Sequence, residues 1–163
     1  MFRLISMTSD DLLKAVDHDS DYRSGNCSPN IYRFDPKTGV IDFVTRCSGS
    51  KNSWYQRVRF DDWQVLLPQE AFEKAFSNNA SGWQQMLQEF PEINELDVKV
   101  GCGCPYYLYY GSGYILDQLG AGEPSLPRYK NQPHPENRFP AIRDPGLEHT
   151  LCKHLIAVLR RYF

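Results

Sequence analysis

Two short pairs of metal-binding side chains, far apart in the sequence, constrain this chain more than any other feature. The first pair is Cys102 and Cys104, in the segment Gly-Cys-Gly-Cys-Pro, and the second is Cys152 and His154, in Cys-Lys-His. Three thiols and one imidazole form a Cys₃His donor set, which is typical of zinc sites whose four positions are all filled by protein. The sequence therefore predicts one structural zinc ion, with these four residues as its ligands.

The sequence around each pair is compatible with ligation. Gly101 and Gly103 are expected to let the backbone turn so that both upstream sulfurs reach one metal ion. Residues 150–163 have the apolar spacing of a helix. Because side chains at i and i+2 of a helix do not share a face, we expect Cys152 at or before its first turn and His154 inside it. The alternative for the upstream cysteines is that they are buried free thiols.

Length and composition set the class of protein. The chain has 163 residues, 41% of them hydrophobic and 23% charged, which fits one globular domain with its own core. Within this single domain, 1–163, we expect an N-terminal half of sheet and helices, 1–95, and a zinc-binding half, 96–163. The second half contains a long Pro-rich insertion over 120–148, where six prolines exclude long regular elements.

The pattern of apolar residues predicts an α+β fold. We expect a small antiparallel β-meander with short helices and a C-terminal, zinc-clasped ββα-like module. Gly39 is expected to adopt a positive φ in the turn of the first hairpin. Residues 20–30 have the composition of a loop. The predicted strands are 31–34, 40–46, 54–60 and 96–100, with a further candidate at 63–67. One predicted helix begins at Thr8 or Ser9, and the others cover 68–76, 83–90 (capped by Ser81) and 150–163.

Two further cysteines, Cys27 and Cys47, lie in turn-like segments. They are interpreted either as part of a second metal site or as a disulfide, and the sequence does not decide between these. Residues 1–7 lack the length and the cleavage site of a signal peptide. We therefore expect a reducing compartment such as the cytoplasm, where metal binding is commoner than disulfides. No apolar stretch approaches the length of a membrane span.

Charge gives limited support to nucleic-acid binding. Tyr55, Arg57 and Arg59 share one face of a predicted strand and could contact a polyanion. The same pattern arises in any antiparallel strand with one solvated face, and we favour that interpretation. The net charge is −2, although residues 128–163 contain seven Lys or Arg against three Asp or Glu. The chain therefore lacks the basic character of a typical nucleic-acid-binding domain.

The pattern Cys-x-Cys followed at a distance by Cys-x-His resembles the SWIM-type zinc finger, over residues 96–163. That resemblance implies a ββα zinc module which binds protein or nucleic acid, with Cys102, Cys104, Cys152 and His154 as ligands. The insertion between the two pairs departs from a compact member of that family. The same arrangement also resembles uncharacterised tailed-bacteriophage proteins, which implies a virion or virion-assembly component.

The sequence contains no catalytic constellation, and a zinc ion with four protein ligands has no open position for water. We therefore predict a protein that is not an enzyme, with no catalytic residues. Its expected role is structural, in a virion or the cytoplasm, through contacts of Tyr-rich residues 106–114 and the Pro-rich loop 120–148 with protein subunits of a larger assembly. The alternative is a nucleic-acid-associated zinc module that binds DNA or RNA through its basic C-terminal third.

Overall fold

The computed structural model describes residues 8–14, 22–35, 38–63, 80–104, 107, 116, 121–123 and 151–163. Over these ranges the protein is a small α+β structure, as the sequence predicts. Its elements in chain order are α1 (Ser9–Lys14), β1 (Cys27–Asp35), β2 (Val40–Cys47), β3 (Ser53–Phe60), α2 (Ala80–Glu89), a 3₁₀-helix (Pro91–Glu95), β4 (Val98–Cys102) and α3 (Lys153–Tyr162).

The four strands form one antiparallel sheet in the order β1-β2-β3-β4. The expected meander is therefore confirmed, and β4 extends it beyond the 3₁₀-helix. The β4 backbone also bonds to a later segment, because Val100 donates to the Ala121 carbonyl at 2.7 Å and accepts from the Glu123 amide at 2.9 Å. Both edges of β4 are thus hydrogen-bonded where the strand approaches Cys102.

The first hairpin is longer than predicted. Residues 27–30 belong to β1, not to a loop, and Cys47 is the last residue of β2. The reason is cross-strand pairing, which continues as far as Cys27 opposite Cys47. Pro29 is tolerated because β1 lies at the edge of the sheet, where a missing backbone donor costs little.

Local signals at the turns and helix starts were partly correct. Gly39 has φ +69°, as expected for the hairpin. Thr8 and Asp11 exchange hydrogen bonds of 3.0 and 3.2 Å between side chain and backbone, which caps α1 as predicted. Ser81 was wrongly predicted as a cap, because it lies inside α2. Packing of the buried Trp83 fixes that helix instead.

The core lies between one face of the sheet and helices α2 and α3. Trp83 of α2 contacts Phe34, Phe60 and Phe163, with ring centroids 5.4 to 5.7 Å apart. The backbone carbonyl of Tyr162 in α3 accepts from the Trp83 indole N–H at 3.3 Å. The Tyr162 hydroxyl donates to the Pro29 carbonyl of β1 at 3.2 Å. The C-terminal helix is therefore packed against the N-terminal sheet.

Several predicted features lie outside the described residues. These are the end of the first helix, the candidate strand at 63–67 beyond Trp63, the helix 68–76, most of the Tyr-rich segment 106–114 and nearly all of the loop 120–148. Among the helices that are described, none has the length and apolar character needed to cross a membrane.

Candidate metal centre

The end of β4 and the start of α3 bring the two Cys/His pairs together. Cys102 is the last residue of β4, and Cys104 follows two residues later. Cys152 has extended backbone angles, φ −74° and ψ 160°, immediately before α3, and His154 is the second residue of the helix. The predicted placement of this pair, one residue before the helix and one inside it, is confirmed.

The four side chains form one compact group. All four are buried, and their donor atoms lie within 4.8 Å of one another. The Cys102 Sγ is 3.9 Å from the His154 Nδ1. A tetrahedral zinc ion with Zn–S bonds of about 2.3 Å requires ligand atoms roughly 3.8 Å apart, so only small side-chain movements separate this group from a zinc site.

Of the two glycines that were expected to turn the chain, Gly101 lies within the regular strand β4. Gly101 is paired within β4, and in the part of the chain described here positive φ among glycines is confined to Gly39 and Gly49. Cys104 lies past the end of β4, at a bend in the chain two residues after Cys102. The Gly103 amide still donates to the β3 backbone, at 3.0 Å from the Tyr55 carbonyl.

Three N–H groups point at the sulfurs. The Gln56 Nε2 lies 3.3 Å from the Cys102 Sγ, and the Cys104 amide lies 3.5 Å from the same atom. The Tyr107 amide donates to the Cys104 Sγ at 3.4 Å. Donors aimed at sulfur stabilise thiolate over thiol, and thiolate is the form that binds a metal ion. These contacts therefore support a ligand role over that of buried free thiols.

Sequence reasoning missed Gln56. Its side chain is 1% exposed and faces the core from β3, directly opposite Cys102 on β4. It also donates to the Trp54 carbonyl at 2.8 Å and accepts from the Thr45 hydroxyl. The available signal was a polar residue at a core-facing position of an otherwise apolar strand face. Such partners orient metal ligands and tune their charge.

The protonation of the three cysteines differs. Burial raises the pKa of the Cys102 and Cys152 thiols above the ordinary range. Hydrogen bonds from Cys102, Cys152 and His154 hold the pKa of the Cys104 thiol well below its ordinary value. A metal ion that binds these sulfurs would displace the thiol protons that burial favours.

Chemically, this arrangement can hold a borderline-soft divalent ion. Four protein donors fill a tetrahedral shell and leave no position for substrate or water, which is the arrangement of a structural zinc site.

No protein-family model, curated protein or solved structure matches this chain. The resemblance to SWIM-type zinc fingers therefore depends on the Cys-x-Cys and Cys-x-His residues alone.

The remaining cysteines form a disulfide. Cys27 and Cys47 face each other across β1 and β2 and are joined by an S–S bond. Of the two alternatives from the sequence, the structure thus contains the disulfide. The pair is also adjacent to the metal centre, since the two sulfurs and a ring nitrogen of His154 lie within 4.8 Å of one another.

Two arginines of β3 on the outer sheet face are paired with carboxylates. Arg57 binds Asp42 through two hydrogen bonds of 2.6 and 3.0 Å. Arg59 likewise binds the fully buried Glu123 carboxylate at 2.9 and 3.0 Å. The two acid partners come from β2 and from residues 121–123.

Proposed function

We propose that this chain is a non-catalytic zinc protein in which Cys102, Cys104, Cys152 and His154 bind one structural Zn²⁺. The observation that carries the proposal is the closed, fully buried Cys₃His group, with three N–H donors directed at its sulfurs. A zinc ion with four protein ligands supports folding and not chemistry.

The role of the ion follows from the position of its ligands. Cys102 is the last residue of β4 and Cys104 follows it, whereas Cys152 precedes α3 and His154 lies in its first turn. A long insertion separates the two pairs. An ion bound by both pairs closes this segment into a loop and fixes the start of α3 relative to β4. Structural zinc contributes an apparent binding free energy on the order of 10 kcal/mol, part of which becomes folding stability.

Elemental analysis of the purified chain tests the proposal. We expect one zinc per chain in protein whose disulfide is intact, and loss of that zinc in Cys104→Ser together with a lower melting temperature. The matched control is the double variant Cys27→Ser/Cys47→Ser, which changes two cysteines outside the group and should retain one zinc. A zinc-free wild-type chain that unfolds at the same temperature with and without a strong chelator would contradict the proposal.

We further propose that the protein contacts other subunits of a larger assembly. Support comes from tyrosines on the surface, of which Tyr22, Tyr32 and Tyr55 are 76%, 66% and 57% exposed. The rings of Tyr32 and Tyr55 contact each other edge to face at 5.8 Å on the outer side of the sheet. Exposed tyrosines are suited to interfaces because they combine apolar area with a polar tip.

The Tyr-rich and Pro-rich segments would add to this surface. The identity of the protein as a phage virion component, or as a virion-assembly component, is inferred from the motif's resemblance alone. Co-sedimentation with virion particles is the test, and a chain that remains monomeric and unattached in a particle-producing lysate would contradict it.

The alternative, nucleic-acid binding through the basic C-terminal third, has less support. On the outer face of the sheet, the carboxylates of Asp42 and Glu123 partner Arg57 and Arg59 and so reduce the positive field there. Mobility shifts at low salt test it. Salt-sensitive binding that is lost on changing Arg138 and Arg143 to Ala would favour the alternative over the assembly role.

A further inference from the structure

A second pair of sulfurs, those of Cys27 and Cys47, lies next to the Cys₃His group. Cys27 opens β1 and Cys47 closes β2, and the two residues are directly paired across the strands. Their sulfurs and a ring nitrogen of His154 lie within 4.8 Å of one another. His154 therefore belongs to two groups of donor atoms, one with the three buried thiols and one with this disulfide.

We propose that reduction of the Cys27–Cys47 disulfide creates a second metal site, in which two thiolates and His154 bind a second thiophilic divalent ion such as Zn²⁺. Thiolate and imidazole are ligands that zinc prefers. An imidazole has two ring nitrogens, so His154 can serve one ion through each after its ring proton passes to solvent. The metal capacity of the chain thus depends on the redox state of Cys27 and Cys47.

The chemistry balances with a dithiol as the reductant. Two electrons from the dithiol break the S–S bond, the reductant becomes a disulfide, and its two protons pass to the Cys27 and Cys47 sulfurs. When the ion binds, each new thiol releases its proton to solvent. Such dithiols are abundant in reducing compartments.

The backbone holds the two sulfurs together after the bond is broken. The β1–β2 ladder continues from the cysteines through Ser28 opposite Arg46, and beyond them the Ser48 amide donates to the Asn26 carbonyl at 2.8 Å. Hydrogen bonds on both sides therefore fix the pair independently of the disulfide. Reduction leaves two thiols facing each other beside His154.

Access to this pair differs from access to the first group. Cys27 is half-buried, whereas Cys47 is 3% exposed and lines an open cavity of about 440 Å³ whose other walls include Asn26, Ser28 and Ser50. The three thiols of the first group are buried. Reductant and metal can approach the second site from the side of the half-buried Cys27, and with three protein ligands the fourth position of the metal remains open to water. The second ion should therefore exchange faster than the first.

Zinc titration of the full-length chain in two redox states tests the proposal. The protein is reduced anaerobically with a water-soluble phosphine, which becomes the phosphine oxide by taking oxygen from water while the disulfide becomes two thiols. After removal of unbound metal, we expect one zinc per chain in the oxidised protein and two in the reduced protein. The double variant Cys27→Ser/Cys47→Ser should bind one zinc under both conditions.

The proposal is overturned if the reduced wild-type chain binds no more zinc than the double variant. A maleimide experiment on the wild-type chain avoids dependence on the variant's folding: Cys27 and Cys47 should react in the reduced chain with one zinc equivalent and be protected by a second. Equal labelling with and without the second equivalent also overturns the proposal. If the oxidised chain binds no zinc but reduction adds one equivalent only in the wild type, this inference stands and the proposed structural site fails.

Discussion

Removing the hydrogen bond from Gln56 to Cys102 should weaken zinc binding, beyond any effect on the stability of the fold. The Gln56 amide donates to the Cys102 Sγ at 3.3 Å from a position that is 1% exposed. We expect Gln56→Met, which retains the length of the side chain but has no N–H, to leave the zinc-bound thiolate without this donor. A hydrogen bond to a charged group contributes about 1.5 to 3 kcal/mol.

That free energy corresponds to a roughly 10- to 100-fold loss of zinc affinity, since about 1.4 kcal/mol changes an equilibrium constant tenfold. Partners of metal ligands in other proteins have effects of a similar size, about 10- to 100-fold. The same substitution also removes the bonds of Gln56 to Thr45 and to the Trp54 carbonyl, so the free energy of unfolding should fall as well, by on the order of 3 kcal/mol.

Competition with a chromophoric chelator measures the affinity under conditions where each variant is folded. The matched control is Val58→Ala, at the next core-facing position of β3. It should cost on the order of 2 kcal/mol of stability through a cavity, but it removes no N–H donor and should leave zinc affinity unchanged. Equal zinc affinity in Gln56→Met and the wild type would refute the role assigned to Gln56.

Three further predictions concern the fold and the charge of the site. Arg59→Met should lower the free energy of unfolding by about 3 kcal/mol, because it removes the guanidinium from the buried Glu123 carboxylate, and Glu123→Gln in the same chain should restore part of this in chemical denaturation. Gly39→Ala should destabilise by more than about 1 kcal/mol in the same assay, since φ is +69° and its Cβ would lie 2.7 Å from the Trp63 Cγ. Zinc binding near pH 7 should release about two protons, from the thiols whose pKa burial raises, and should weaken as pH falls; calorimetry in buffers of different ionisation enthalpy measures the release.

Each of these has a contradicting result. If the variant Arg59→Met/Glu123→Gln is no more stable than Arg59→Met, the case for a stabilising ion pair is removed. A Gly39→Ala chain as stable as the wild type would show that the turn relaxes. Zinc binding without proton release at neutral pH would mean that the thiols are already ionised before the ion arrives.

Patterns confined to neighbouring residues were enough to predict much of the fold. Alternation located β2 and β3 to within one residue, and the spacing of apolar residues located α3 and the position of His154 within it. These features depend on side-chain periodicity, which the sequence contains directly.

What the sequence did not predict depends on contacts between distant segments. The extension of β1 to Cys27 follows from its pairing with Cys47, and the partner of Arg59 is Glu123, far along the chain. The three cysteines and the histidine of the candidate site were predicted from their side-chain chemistry. The position of Gln56 opposite Cys102 could be known only from the register of β3 against β4. Tertiary pairing, not local propensity, decides such details.

The zinc content of the purified, oxidised full-length chain tests the central claim most directly. Inductively coupled plasma mass spectrometry combined with amino-acid analysis should give one zinc per chain, and one chelator-resistant equivalent should remain until the protein unfolds. A chain that contains no zinc after expression in zinc-replete medium, binds none on titration and yet unfolds cooperatively would show that the four buried residues form a thiol core and not a metal site.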